Sequence, residues 1–172
     1  MLKSSTVAIL IVGMLVGIVG IAATSWVFEA TSTDEFCLSC HNHNITAERL
    51  KTTSHYSNAS GVVPTCADCH VPHDLVGKVG RKIAAAREVW GHFRGVIDTD
   101  EKYLAHREEM AERELERFYA TDSANCRHCH SADRMDFEMQ GNKAAKKHAK
   151  MDESDTCVDC HDGIAHPEPD DD

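Results

Sequence analysis

The stretch Cys37-Leu38-Ser39-Cys40-His41 sets two thiols two residues apart and an imidazole directly behind them. The same spacing returns at Cys66-Ala67-Asp68-Cys69-His70, at Cys126-Arg127-His128-Cys129-His130 and at Cys157-Val158-Asp159-Cys160-His161. None of the eight cysteines lies outside these four units. With 12 histidines in 172 residues, four such coincidences have odds on the order of one in 10⁵.

The chemistry accounts for the spacing. Two thiols at this separation add across the two vinyl groups of haem as thioethers, and the next imidazole reaches the iron from one face. The pattern therefore predicts four covalently bound haem c groups, attached through Cys37 and Cys40, Cys66 and Cys69, Cys126 and Cys129, and Cys157 and Cys160. A disulfide framework has no use for the trailing histidines. Structural zinc uses Cys-x-x-Cys in facing pairs but does not demand histidine after each. The units begin at 37, 66, 126 and 157 and so fall into two pairs. The second unit of each pair carries the same text, Thr65-Cys66-x-Asp68-Cys69-His70 and Thr156-Cys157-x-Asp159-Cys160-His161. Duplication of a dihaem module explains this, and convergence on one attachment signal is the alternative.

Composition agrees with a chain that needs cofactor bulk. Aromatic residues make up 6%, and much of the apolar content sits in the first thirty residues, which leaves a thin core for the rest. The net charge of -10 argues against nucleic acid, whose phosphates need a basic face.

Ser4 to Phe28 carries no charge, with Lys3 before it and Glu29 after it. About 21 helical residues at about 1.5 Å each cross the hydrocarbon of a bilayer. Residues 1–30 are predicted to be an N-terminal membrane anchor, with Trp26 and Phe28 at the far interface. A cleaved signal peptide is the rival; its apolar region is shorter and ends in small residues, unlike "WVF" at 26–28. Lys3 favours a cytoplasmic N-terminus. The expected location is the bacterial inner membrane, crossed once, with the haem domain in the periplasm. Gly13 and Gly17 form a G-x-x-x-G that could pair two helices in a homodimer.

The expected fold is mainly α: one transmembrane helix followed by a loop-rich helical tetrahaem domain over residues 31–166. Its dihaem halves cover about 31–75 and 120–166, and an acidic tail follows at 167–172. Residues 74–98 repeat apolar side chains at helical spacing, with Lys78, Arg81, Lys82, Arg87 and Arg94 on the polar side against one acid, Glu88. That helix suits a membrane surface or packing on haem edges. Residues 100–119 read as a second, charge-laced helix with a solvated face.

Eight histidines remain outside the attachment positions: His43, His55, His73, His92, His106, His128, His148 and His166. Haems that only relay electrons have both axial positions filled, so some of these are ligands. His166 follows His161 too closely to reach the opposite face of the same haem, and if it ligates it joins a neighbouring one. His128, inside an attachment loop, is a poor candidate.

"ATSTDEFCLSCH" (30–41), "CADCHVPHDLVGKVGRKIAAAREVWG" (66–91), "SANCRHCH" (123–130) and "CVDCHDGIAHP" (157–167) resemble the NapC/NirT/NrfH family of membrane-anchored tetrahaem cytochromes c. The likeness covers nearly the whole chain, and its later segments look nearest to the NapC/NirT side. The resemblance implies oxidation of membrane quinol (menaquinol or ubiquinol) and delivery of electrons to a periplasmic reductase or soluble cytochrome c. It implies His70, His130 and His161 as proximal ligands of haems 2, 3 and 4. It also implies His166 as distal ligand of haem 3, His55 of haem 4, and His148 of haem 2 with His106 in reserve. In relatives a methionine stands two positions after the first attachment histidine; here it is His43. Either His43 takes the axial site of haem 1 and displaces His41, or His41 ligates and His43 is its neighbour. By resemblance Glu88 falls where relatives carry an acid near haem 1, and Arg81 or Lys82 near that site's basic residue; a carboxylate there can take a proton from quinol. Two other classes remain: a terminal reductase of a small oxyanion, and a subunit that only docks a catalytic partner.

Overall fold

Helix α1 (Ser4–Ala30) owes its length to a run of residues with no charge before Glu29. Its 27 residues rise about 40 Å, against about 30 Å for the hydrocarbon of a bilayer. The Thr24 hydroxyl donates to the Gly20 carbonyl at 2.9 Å, so this polar group has its partner within the helix, as an apolar surrounding requires. Among the described residues the apolar length of α1 is left open: Ile9, Ile21 and Trp26 are each 71% exposed. At its end Thr31 Oγ1 donates to the Val27 carbonyl at 2.7 Å and Ser32 Oγ to that of Phe28 at 2.6 Å, satisfying two of the last carbonyls.

This structure is a computed structural model that describes residues 4–40, 43–152 and 154–166, with His43 described by its backbone. After α1 come α2 (Asp34–Cys37), α3 (His43–Leu50), α4 (Cys66–His70), α5 (Leu75–Phe93), α6 (Asp100–Ala120), α7 (Ala124–Cys129) and α8 (Asn142–His148). Short 3-10 turns lie at Ala132–Arg134 and Cys157–Asp159. Among the described residues there is no strand, and the fold is mainly α and loop-rich, as the sequence predicts. The acidic tail, 167–172, lies outside the described residues.

Both long helices of the haem domain start on side-chain caps. Asp74 accepts from the Gly77 amide at 2.7 Å, and Thr99 caps α6, whose first turn holds Asp100 and Glu101 against the helix dipole. The helix expected over 74–98 stops at Phe93. Gly95 takes φ +74, a left-handed conformation that glycine adopts without steric penalty, and the Val96 amide turns back onto the Gly91 carbonyl at 2.9 Å.

The core is thin. Among the described residues only Tyr103 and Val158 are buried hydrophobics, and the accessible surface is 12533 Å², against about 8,400 Å² for an ordinary folded chain of this mass. Part of the excess is α1. Another part is the apolar stripe of α5, where Leu75, Val76, Ile83, Trp90 and Phe93 stand on one face and are exposed. Helix α6 departs from its expected role as a solvated face: Tyr103 and Arg107 are buried, and the Tyr103 hydroxyl shares a 2.8 Å hydrogen bond with Thr46 Oγ1.

Candidate haem sites

Three of the four attachment units sit on short turns capped by a threonine side chain; the third follows Ser123 on α7 without one. At Cys66–His70 a capping box holds Thr65 and Asp68 together: Asp68 Oδ2 accepts from the Thr65 amide at 2.7 Å, and Thr65 Oγ1 accepts from the Asp68 amide at 3.3 Å. Thr156 and Asp159 form the same box at the fourth unit, where the Thr156 amide donates to Asp159 Oδ2 at 2.7 Å. The text common to these two units therefore encodes one local structure that winds the cysteines and histidine into a turn. At the first unit Thr33 Oγ1 accepts from the Phe36 amide at 3.2 Å. None of the eight cysteines forms a disulfide. Among the described residues no group of three or more His, Cys, Asp or Glu gathers as a metal site built from side chains alone.

The units form a series in chain order. The Cys37 thiol lies by that of Cys66, Cys69 lies by Cys129, and Cys126 lies by Cys157. One side chain pins each neighbouring pair. Asp34 Oδ1 accepts from the Cys66 amide at 2.8 Å. Buried Asn125 donates to the carbonyls of Asp68 and Val71 at 3.1 and 3.0 Å. Arg127 donates to the Asp155 carbonyl at 3.0 Å.

Three pairs of imidazoles stand about 6 Å apart, ring centre to ring centre, one pair near parallel, one tilted by 34° and one edge-on at 82°. His70 and His166 have ring centres 6.2 Å apart and planes 17° from parallel; His55 and His130 are 6.1 Å apart, and His148 and His161 5.9 Å. An iron held between two imidazole nitrogens about 2 Å away on either side puts the ring centres about 6 Å apart, so all three pairs fit axial ligation of a haem. His73 and His128 stack at 3.6 Å, which leaves no room for a metal between them. The juxtapositions differ from the pairing implied by resemblance. His166 stands opposite His70 and not His130, His55 opposite His130 and not His161, and His148 opposite His161 and not His70. The Nδ1 of His106 bonds the Lys102 carbonyl of its own helix at 2.8 Å. His41 and the side chain of His43 lie outside the described residues; His43 opens α3.

The groups behind these rings suit ligation. His70 Nδ1 donates to Glu114 Oε1 at 2.5 Å and His148 Nδ1 to Gln140 Oε1 at 2.6 Å, which leaves each Nε2 lone pair for a metal. Burial alone would push the Glu114 carboxyl up, but hydrogen bonds from His70 and Arg117 prevail and hold it well below the usual range. Burial, aided by the neighbouring His70, lowers the pKa of His166 to about 4, so its imidazole is neutral near pH 7. Glu114, which sequence reasoning takes for one charge among many, stands directly behind His70. Its signal was the spacing of Tyr103, Arg107, Glu114 and Phe118 along one face of α6.

The three residues expected near haem 1 separate into two places on α5. Lys82 Nζ donates to the Thr31 carbonyl at 2.7 Å and to Thr31 Oγ1 at 2.9 Å, just past the end of α1. It lies within electrostatic reach of Cys37, and burial lowers its pKa. Arg81 points the other way: its Nε donates to the His70 carbonyl at 3.2 Å, and its guanidinium lies 3.8 Å from Glu88 and 3.9 Å from Glu114. Glu88 is thus paired with Arg81 beside the second unit.

The family model described as "NapC/NirT cytochrome c family, N-terminal region" matches residues 1–171. "Cytochrome c-type protein NapC" of Haemophilus influenzae is 47% identical over 163 residues, 94% of this chain and 81% of that protein. "Denitrification system component NirT" of Stutzerimonas stutzeri is 47% identical over 164 residues, with the same coverage of each. A "Putative tetraheme cytochrome-c type" protein of Allochromatium vinosum is 44% identical over 154 residues, 89% of this chain and 84% of that one. No solved structure matches the chain.

Proposed function

The chain belongs to the NapC/NirT cytochrome c family, and on that premise we propose that it oxidises membrane quinol and passes the electrons to a periplasmic reductase. It is a helical tetrahaem c-type cytochrome of electron transport with one N-terminal helix of membrane-spanning length. Each bound haem supplies a one-electron carrier. The cysteine pairs would hold these groups covalently, and His70 with His166, His55 with His130, and His148 with His161 would bind their irons, a reading that the ring spacing supports. His41 or His43 serves the first unit.

One observation carries the quinol reading: Lys82 ties the end of α1 to the helix beside the first attachment turn. The entry point for electrons is then at the lipid. The Lys82 ammonium can donate a hydrogen bond to a quinol oxygen there. Quinol also releases protons. Glu88, about half exposed and held by Arg81 beside the second unit, does not share the place of Lys82; its role is to pass a released proton on to solvent from that side of α5. The exposed apolar stripe of α5 supports a helix lying in the membrane interface beside that site. Lys3 and Glu29 flanking the anchor support a periplasmic haem domain, inserted once in the inner membrane. Gly13 and Gly17 have open space around them, which leaves room for a second α1 and a homodimer.

The test uses full-length holoprotein in lipid nanodiscs with menaquinol and ubiquinol analogues, followed by absorbance of the reduced haems. Reduction is expected with at least one of them, and Lys82→Ala or Glu88→Gln should slow it about tenfold or more while the haem content stays at four. No reduction by either analogue would sink the reading. Turnover of an oxyanion in its place would make the chain a terminal reductase, and neither activity would leave a docking subunit.

A further inference from the structure

In an acidic protein, one short helix is conspicuously basic. Helix α8 carries Lys143, Lys146 and Lys147, and Lys150 continues the same face into the following turn. The spacing i, i+3, i+4, i+7 puts all four on one side of the helix. They line a shallow open depression of about 270 Å³. Among the described residues none of the four makes an ion pair, whereas Lys51, Lys102, Arg113 and Arg127 each do. Like charges at these spacings repel. The helix dipole, favourable to cations at a C-terminus, accounts for some lysine in the last turn but not for a face of four.

The opposite side of α8 holds the clue to its use. His148 lies roughly opposite the lysines around the helix, and its ring stands 5.9 Å from that of His161. The basic face therefore backs onto the fourth attachment unit, the last in a series that begins beside the membrane anchor.

We infer that Lys143, Lys146, Lys147 and Lys150 form the docking face for the electron acceptor, and that this acceptor is a soluble redox protein with an acidic surface around its own cofactor. The inference deepens the proposed function, since it rests on electrons leaving at the fourth unit. Complementary charge at a transfer site raises the rate of encounter and orients the partner without a large buried area. A transient complex of that kind lets an acceptor take one electron and leave. No atom or proton is exchanged: one electron leaves the reduced protein, and the oxidised partner gains it.

The experiment bypasses the quinol step. Full-length holoprotein in nanodiscs of zwitterionic lipid is reduced with dithionite, freed of excess, and mixed rapidly with either of two oxidised soluble cytochromes of similar potential. One of these is acidic and the other basic. The variant reverses all four charges: Lys143→Glu, Lys146→Glu, Lys147→Glu and Lys150→Glu. At low ionic strength the acidic cytochrome should oxidise the variant at least about tenfold more slowly than the wild type, and the basic one faster, with both differences collapsing at high salt. Four haems and an unchanged low-spin spectrum show that the variant is intact. If it does not mature, Lys143→Ala with Lys150→Ala should still slow the acidic probe about threefold. A rate for the acidic cytochrome within about twofold of wild type overturns the inference. So does a rate that follows the charge of the nanodisc lipid and ignores that of the probe, because the lysines would then face headgroups. Failure of quinol analogues to reduce the wild type would overturn the quinol reading while leaving this measurement intact.

Discussion

At the scale of single residues, Glu114 and His166 flank the His70 ring from two sides. Glu114 accepts from the His70 Nδ1–H, and His166 faces the same ring across 6.2 Å. A carboxylate behind a ligating imidazole favours the more positively charged iron. Glu114→Gln should therefore raise the midpoint potential of one haem by about 60 mV, a single tenfold step for one electron, as read by redox titration. His166→Met should alter the electron paramagnetic resonance of that same haem. Two different haems affected by the two substitutions would break the His70–His166 pairing. His166 also sets a dependence on pH. Its pKa is lowered from 6.5 to about 4 by burial and His70. Between those values the unfolded chain binds a proton there that the folded chain does not. Stability from this group is fully present above about pH 6.5 and is lost as pH falls toward 4. Thermal melts should show this slope, and it should be smaller in His166→Met; equal slopes in the two proteins would remove His166 as its source.

At the scale of elements, the polar clamps between attachment turns govern how the units sit. Asn125 reaches α4 from α7 through a turn with Asp122 and Ser123 both in the left-handed region, at φ 49 and 48. Such conformations in non-glycine residues persist where surrounding contacts enforce them. Asn125→Ala would leave the Asp68 and Val71 carbonyls without their partner and should cost about 1–3 kcal/mol, measured by guanidinium unfolding of the holoprotein. A change under about 0.5 kcal/mol would show that the carbonyls are satisfied by other means. The elements themselves were readable in sequence where a strong local cause existed. Asp74 and Thr99 cap helices close to where hydrophobic period and charge predicted them, and Thr65 and Thr156 start equivalent turns. The end of α5 was misplaced by a few residues because the turn at Gly95, not the apolar pattern, stops it.

At the scale of the molecule, the protein part has too little buried apolar volume to hold itself together. Tyr103 and Val158 are its only buried hydrophobics among the described residues. Cofactor attachment and folding are then one event, as for small metal-dependent domains. Replacing Cys66 and Cys69 together by alanine should therefore not give a native-like protein with three haems. It should give a chain that is digested rapidly by protease and lacks a cooperative thermal transition. A stable three-haem product would show that the protein framework carries more of the fold than its core implies.

Chain order alone determined the anchor, the four attachment units, the helical class and the family, because each depends on residues that are neighbours along the sequence. Spacing of two between thiols, an uncharged run longer than a bilayer, and a cap three residues from its partner are all local quantities. The juxtaposed histidine pairs, the contact of Glu114 with His70 and the division of Arg81 and Lys82 between two places come from tertiary structure. Each joins residues far apart in the chain, such as His55 with His130 or Lys82 with Thr31. A histidine's type shows that it can bind iron; only packing brings it to the open face of a particular one.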